Sequence, residues 1–188
     1  AASDVPVING LTDLSHPCQI IADIVTIEER MGDISGKTIA WLGDGNNVCT
    51  SFMHAAEKLD FKLRIATPAN YAPRGQELAA AKAAGADIEA HNDAKKAIEG
   101  ADVVVTDTWV SMGDTDKDER MAAFPPYAVD DAMMARANKD ALFLHCLPAH
   151  RGEEVTDSVL DGPQSGAWDE AENRIHAQKS VLLWALGR

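Results

Sequence analysis

A chain of 188 residues with 46% hydrophobic content is long enough to bury one substantial core without disulfide or metal staples. Thirty acidic against seventeen basic residues leave a formal net charge of -13, which repels phosphate backbones and anionic lipid surfaces and argues against nucleic acid and membrane as partners. The three cysteines, Cys18, Cys49 and Cys146, are odd in number and form no CxxC pair, so neither a disulfide framework nor a structural zinc pattern is expected, and a reducing cytoplasm fits best.

In chain order, Val5 to Gly10 is a short extended piece ending in a turn pair. Ser15 reads as the N-cap of a helix from His16 to about Met31, with Pro17 tolerated in its first turn and Gly32 stopping it. Ile20, Ile24, Ile27 and Met31 form its apolar stripe. His16 and Gln19 sit beside the helix N-terminus, where they serve either as capping and surface groups or as contacts for an anion. Thr38–Leu42 is a strand, and Gly43-Asp-Gly-Asn-Asn47 turns it into a helix through Cys49, Phe52, Met53, Ala56 and Leu59. Val48 stands where a dinucleotide fingerprint needs its third glycine, and the next strand, Lys62–Thr67, runs into threonine and proline rather than a ribose-binding acid, so NAD binding is disfavoured. The turn still brings Asn46 and Asn47 to the rim of a sheet.

The alternation continues with a helix over Gln76–Ala84, a strand over Asp87–Ala90, a helix over Asp93–Glu99 and a β-branched strand over Val103–Thr106. Asp107–Gly113 follows, then the charged run Asp114–Arg120. Its Asp-x-Asp-x-Asp spacing suggests calcium, but Glu119 occupies the position that needs glycine and Pro125 the position that needs glutamate, so a solvated, mobile loop is expected. A helix over Val129–Ala137 precedes the apolar run from Ala141, which ends in His145, Cys146 and Pro148 and reads as a buried strand delivering its last side chains to the rim. A polar loop over Ala149–Glu154, a short helix capped by Thr156 and a long helix over Asp169–Leu186 complete the chain. Strands alternating with helices specify an α/β fold: one domain, a doubly wound parallel sheet in three layers.

The rim then holds Asn46 and Asn47 after one strand, Asp107 with Ser111 and Met112 after another, and His145 with Cys146 after a third. Amides, a carboxylate, a hydroxyl and a thiol suit a zwitterionic, amine-bearing ligand better than a phosphate. A cysteine hydrolase built on Cys146 with His145 or His150 is disfavoured, because the neighbouring strand residues His145 and Cys146 point to opposite faces and no distant orienting group is indicated. A metal site from His145, Cys146 and His150 matches no recurrent zinc spacing.

Five segments, His16-Pro-Cys-Gln19, Gly43-Asp-Gly-Asn-Asn47, Asp107-Thr-Trp-Val-Ser-Met-Gly113, His145-Cys-Leu-Pro148 and Glu170-Ala-Glu-Asn-Arg174, together resemble the ornithine carbamoyltransferases, in order and across essentially the whole chain. Cysteine in the first segment and the Ser-Met-Gly loop look more like the ornithine enzymes than their aspartate-using relatives. The resemblance implies a Rossmann-like ornithine-binding domain over residues 1–188, with 1–31 and 169–188 bridging to an N-terminal carbamoyl phosphate domain. It implies that His16, Gln19, Arg174 and the backbone at Cys146 and Leu147 contact carbamoyl phosphate. Asn47, Asp107, Ser111 and Met112 would hold ornithine, with Asp107 and Cys146 as the catalytic groups beside its side-chain amine, and the segment from Ser111 onward would close over it. No cofactor, metal or covalent intermediate is implied. The family's Ser-Thr-Arg-Thr-Arg phosphate-binding segment does not occur in residues 1–188. The expectation is therefore an ornithine-binding half without turnover alone, a monomer or weak oligomer where the intact enzymes are homotrimers, with Val181, Leu182 and Trp184 exposed or repacked. Two alternatives stand beside it: a noncatalytic ornithine- or amine-binding domain, and a putrescine carbamoyltransferase, to which the Ser-Met-Gly loop is less suited.

Overall fold

Apolar strand runs with no polar face need cover on both sides, and the structure, a computed structural model describing residues 3–111 and 113–187, provides it. Strands β1 (Thr38–Leu42), β2 (Lys62–Ala66), β3 (Ile88–His91), β4 (Val103–Thr106) and β5 (Leu142–His145) form one parallel sheet in the order β3-β2-β1-β4-β5. The helices are α1 (Pro17–Met31), α2 (Asn47–Lys58), α3 (Gly75–Ala83), α4 (Ala94–Ile98), α5 (Lys117–Ala123), α6 (Asp131–Met134), α7 (Asp157–Leu160) and α8 (Ala167–Ala185).

Alternate strand side chains feed two cores, as the period of two requires. Ile39, Trp41, Val103, Val105, Leu142 and Leu144 face α1, α2 and α3, with Trp41 and Phe52 fully buried and their rings 5.8 Å apart. Ala40, Leu42, Val104 and Phe143 face α4, α6 and α7. These are the expected three layers. Helix α8 runs along α1 and touches β5. Among the described residues no helix is long and apolar enough to cross a membrane.

The chain walks outward from β1 through β2 to β3 and then returns to place β4 on the other side of β1. At such a reversal the two neighbouring loops diverge and leave a crevice at the carboxyl ends of the strands. The register sets Leu42 opposite Thr106 and Thr106 opposite His145, so the residues that follow β1, β4 and β5 emerge level on one rim.

Several local expectations need correction. His16, not Ser15, occupies the N-cap of α1 and makes no side-chain cap bond, while Ser15 Oγ accepts from Asn9 Nδ2 at 3.0 Å instead. The helix expected over Val129–Ala137 contracts to Asp131–Met134, because Val129 is drawn into a bridge with Val155. The acidic run is not a solvated loop throughout, since its second half is α5. Arg120, with 12% of its side chain exposed, gathers Asp44, Asp114 and Asp116 at 2.7, 3.4 and 2.9 Å, and its guanidinium lies 4.6 Å from the centre of the Tyr71 ring. One half-buried cation thus converts mutual repulsion into a packed corner. As expected, Leu182 and Trp184 are exposed, at 53% and 81%, whereas Val181 is half-buried.

The turn after β1 depends on a close approach. Gly45 donates its N–H to Tyr71 O at 2.9 Å, and a Cβ there would stand 2.3 Å from Pro73 N and 2.5 Å from Ala72 C. Gly45→Ala must push two backbone segments apart, at a cost of about 1–3 kcal/mol. Urea denaturation should show that loss, and an unchanged midpoint would contradict the close approach.

Candidate active site

Asp107 is the first residue beyond β4 and is 6% exposed. Its Oδ2 accepts from Asn46 Nδ2 at 2.7 Å, and its Oδ1 accepts from Thr108 N at 2.7 Å and from the Cys146 thiol at 3.0 Å. Donors from the ends of β1, β4 and β5 therefore converge on one carboxylate. Asn46 is the N-cap of α2, and its Oδ1 accepts from Val48 N at 3.0 Å and Cys49 N at 3.1 Å. That cap fixes the amide: with the oxygen committed to the helix, the NH2 group must face Asp107.

Asn47 lies on the same rim but points elsewhere, donating from Nδ2 to Thr12 O at 2.7 Å. The amide that touches Asp107 is that of its neighbour, Asn46, which the sequence places on the rim but to which the resemblance assigns no substrate contact. Ser111 is half-buried, and its N–H donates to Asp114 Oδ2 at 2.7 Å, while Met112 lies outside the described residues.

The Cys146 thiol is pushed well above its ordinary pKa, first by burial and then by the charge of Asp107. It is an S–H donor to a carboxylate, not a thiolate nucleophile. His145 points away, as strand geometry requires. It is fully buried, its Nδ1 accepts from Leu147 N at 2.9 Å, and its Nε2 lies 3.2 Å from Glu154 Oε1. These contacts set the tautomer with the proton on Nε2. They also hold Leu147 at φ 52°, a conformation branched residues seldom adopt, and leave His145 unable to act as a base for Cys146. Asp107, His145 and Cys146 each bring a ligand-type atom within 4.8 Å of the others, but both ring nitrogens of His145 are already engaged.

The second group of expected residues lies between α1 and α8. His16 is 8% exposed, anchored by its N–H to Ser51 Oγ at 2.7 Å, and its Nδ1 has no partner. Burial, then the nearby Arg174 charge, lowers its pKa, so it is neutral at neutral pH. Gln19 donates from Nε2 to Asp23 Oδ1 at 2.7 Å and to Glu170 Oε1 at 2.6 Å, and its Oε1 accepts from Arg174 Nη1. Glu170 Oε2 accepts from His145 N at 2.9 Å, which joins this network to β5 and to the Cys146 loop. Arg174, His16 and Leu11 border a cleft of about 410 Å³. Burial raises Asp23 to about 7, and burial and the neighbouring Asp23 raise Glu170 well above the usual carboxylate range. The sequence carried a signal for this pair that went unread: Gln19, Asp23 and Thr26 form a polar stripe at helical spacing beside the apolar one.

The profile of the aspartate/ornithine carbamoyltransferase Asp/Orn-binding domain matches residues 35–185, and that of the carbamoyl-P binding domain matches residues 1–29. Ornithine carbamoyltransferase of Caulobacter vibrioides is 66% identical over 185 residues, covering 98% of this chain and 60% of its own length. That of Rhodopseudomonas palustris is 58% identical over 187 residues, again with 60% of its length covered. The chain thus spans about 60% of the length of these relatives. Among solved structures, ornithine carbamoyltransferase from Pyrococcus furiosus matches 96% of this chain and 59% of its own with a TM-score of 0.90 at 48% identity. The anabolic enzyme from Campylobacter jejuni matches 98% of this chain and 63% of its own with a TM-score of 0.92 at 38% identity.

Two substitutions at Asn46 separate its roles. Asn46→Ala removes a cap and one Asp107 donor and should cost about 0.5–2 kcal/mol. Asn46→Asp keeps a capping oxygen but sets a second carboxylate against Asp107, and the two repel once both are charged. Its deficit against the parent should be small near pH 3 and grow as pH rises through the carboxylate range. Chemical denaturation across pH checks this, and a pH-independent deficit would contradict the contact.

Proposed function

Because the chain belongs to the aspartate/ornithine carbamoyltransferase family through its Asp/Orn-binding domain, we propose that it supplies the ornithine side of carbamoyl transfer from carbamoyl phosphate to L-ornithine, giving L-citrulline and phosphate. The observation that carries this reading is the Asp107–Cys146 pair, fixed at the crevice between β1 and β4 and joined through Glu170 to the Gln19–Arg174 group.

In this reading the side-chain amine of ornithine sits beside Asp107 and Cys146. An aliphatic amine has a pKa of about 10.4 and arrives protonated. The Asp107 carboxylate attracts the ammonium and holds it while it loses a proton, and Asn46 and Thr108 keep that carboxylate from turning. The nitrogen lone pair then forms the N–C bond to the carbamoyl carbon. The ammonium proton lost before attack goes to solvent; the tetrahedral intermediate then breaks the C–O bond to phosphate, whose oxygen leaves with the bonding electrons and takes the second proton, from the nitrogen that has attacked. Arg174 and neutral His16 face the carbamoyl oxygen as donors, where charge develops. Gln19 and the backbone at Cys146 and Leu147 accept from the carbamoyl NH2. Asn47, Ser111 and Met112 bind the amino-acid end, and closure of the Ser111 segment excludes water.

The domain organisation follows from the same reading. Residues 1–188 form the ornithine-binding unit, with 1–31 and 169–188 packing against a carbamoyl phosphate domain. The exposed Val5, Val7 and Leu11 at one end and Leu182 and Trp184 at the other agree with such a contact. A cytoplasmic location and, for a polypeptide carrying both domains, a homotrimer complete the proposal.

The test is a chimera in which the remaining N-terminal part of the Caulobacter vibrioides relative is fused ahead of this chain. The chain alone should form no citrulline above background. The chimera should carbamoylate ornithine, with little use of putrescine or aspartate, and Asp107→Asn in it should lower kcat/KM by about 10² or more. Preference for putrescine would favour the diamine alternative, and ornithine binding without turnover in a folded chimera would favour a noncatalytic binder.

A further inference from the structure

Two carboxyl groups lie beneath the cleft at positions no substrate atom is proposed to reach. Asp23 on α1 and Glu170 on α8 are each 1% exposed. Their hydrogen-bond donors are neutral: Gln19 Nε2 serves both, and the His145 N–H serves Glu170 alone. Burial is the largest cause holding both acids above their ordinary range, and for Glu170 the charge of Asp23 adds to it, so the pair keeps a proton where exposed acids would have lost theirs.

The consequence falls on Gln19. A primary amide turned over by 180° has nearly the same shape, so packing hardly distinguishes its two orientations; hydrogen bonding must. With both N–H bonds taken by carboxyl oxygens, the amide oxygen can only face the other way, where it accepts from Arg174 Nη1. The reversed amide would set NH2 against a guanidinium N–H and displace the arginine. Gln178 adds a second neutral oxygen, which in the orientation that satisfies both side chains accepts from Arg174 Nε at 3.3 Å and Nη2 at 2.8 Å. Arg174 is thus held by amide oxygens rather than neutralised by a carboxylate in direct contact.

The geometry points to Asp23 and Glu170 as positioning residues: their oxygens take both N–H bonds of Gln19, lock the orientation of its amide and thereby hold Arg174 at the cleft on amide oxygens, with no carboxylate in direct contact among the described residues. The ligand this cation serves, carbamoyl phosphate, rests on the proposed function, whereas the lock is a property of the chain itself. The groups that face the pair are Gln19 from α1, Arg174 from α8, the His145 N–H and Cys146 thiol from the end of β5, and Asp107 from the end of β4. Because the folded-state values of both acids lie above the unfolded ones, stability is undiminished below about pH 4 and falls as pH rises through about 7, where Asp23 ionises.

Side-chain NMR on this chain tests the lock without any assay of turnover. Carboxyl carbons of Asp23 and Glu170 are followed from pH 3 to 9, and exchange of the Gln19 NH2 protons is compared with that of the α1 backbone amides. In the wild-type chain Asp23 should titrate near pH 7, with the Gln19 NH2 protons strongly protected. Asp23→Asn should bring Glu170 down toward its ordinary range, whereas Glu170→Gln should leave Asp23 raised, because burial and not Glu170 raises it; both should speed Gln19 NH2 exchange at least tenfold relative to the backbone. They should also flatten the decline of stability between pH 4 and 7. Wild-type midpoints near 4 for both acids, or variants in which Gln19 exchange merely tracks the backbone, would overturn the lock. The wild-type titration decides the first point even if a variant fails to fold. An intact lock in a chimera that does not bind carbamoyl phosphate would defeat the functional reading and leave the lock standing.

Discussion

The organising constraint of this molecule is the Asp107 carboxylate, a charged group 6% exposed that has to be satisfied where three strands end. A buried carboxylate without donors costs several kcal/mol, so its donors constrain everything around it. Here they come from three different elements: a helix-capping amide after β1, the backbone after β4 and a thiol after β5. Each is delivered by the parallel register that brings Leu42, Thr106 and His145 level. The sheet therefore acts as a jig, and the switch between β1 and β4 supplies the opening in which the carboxylate can meet a ligand.

A second constraint runs between the helices that begin and end the fold. The seam of α1 and α8 is polar where an apolar stripe would have packed more simply. Gln19 meets Glu170 and Arg174, Asn173 donates to Thr26 at 3.0 Å and to Glu29 at 2.8 Å, and Arg30 pairs with Asp169 at 2.6 Å. Such a seam gives orientation more than adhesion, since a buried polar network favours one register of its partners and penalises all others. Through the His145 N–H on Glu170 it is continuous with the Asp107 group, so the two halves of the site share one rigid frame.

Much of this was legible in the residues. The β-branched run Val103–Thr106 and the abrupt end of Ala141–Cys146 announced buried parallel strands, and turn residues placed Asn46, Asp107 and Cys146 on one rim. The five-segment resemblance pointed to the same residues with substrates attached. What could not be read depended on tertiary partners. Asn46 and Asn47 are chemically identical neighbours, and only the capping of α2 decides which one faces Asp107. The acids of Asp114–Arg120 read as a mobile loop because the sequence does not reveal that Arg120 folds back among them beside Tyr71 and Asp44. Asp23 was hidden for a different reason: it sits in a helix whose apolar stripe drew attention to the face beside it.

The most direct test of the central claim is the pH dependence of Cys146 alkylation in this chain, compared with Asp107→Asn; Cys18 and Cys49 are buried and should react far more slowly. If the carboxylate is charged and hydrogen-bonded to the thiol, the wild-type rate should stay low well beyond the ordinary thiol range, and the Asp107→Asn profile should shift to clearly lower pH. Superimposable profiles would mean that Asp107 does not govern the thiol, and the three-strand convergence on this carboxylate could not be the organising feature of the site.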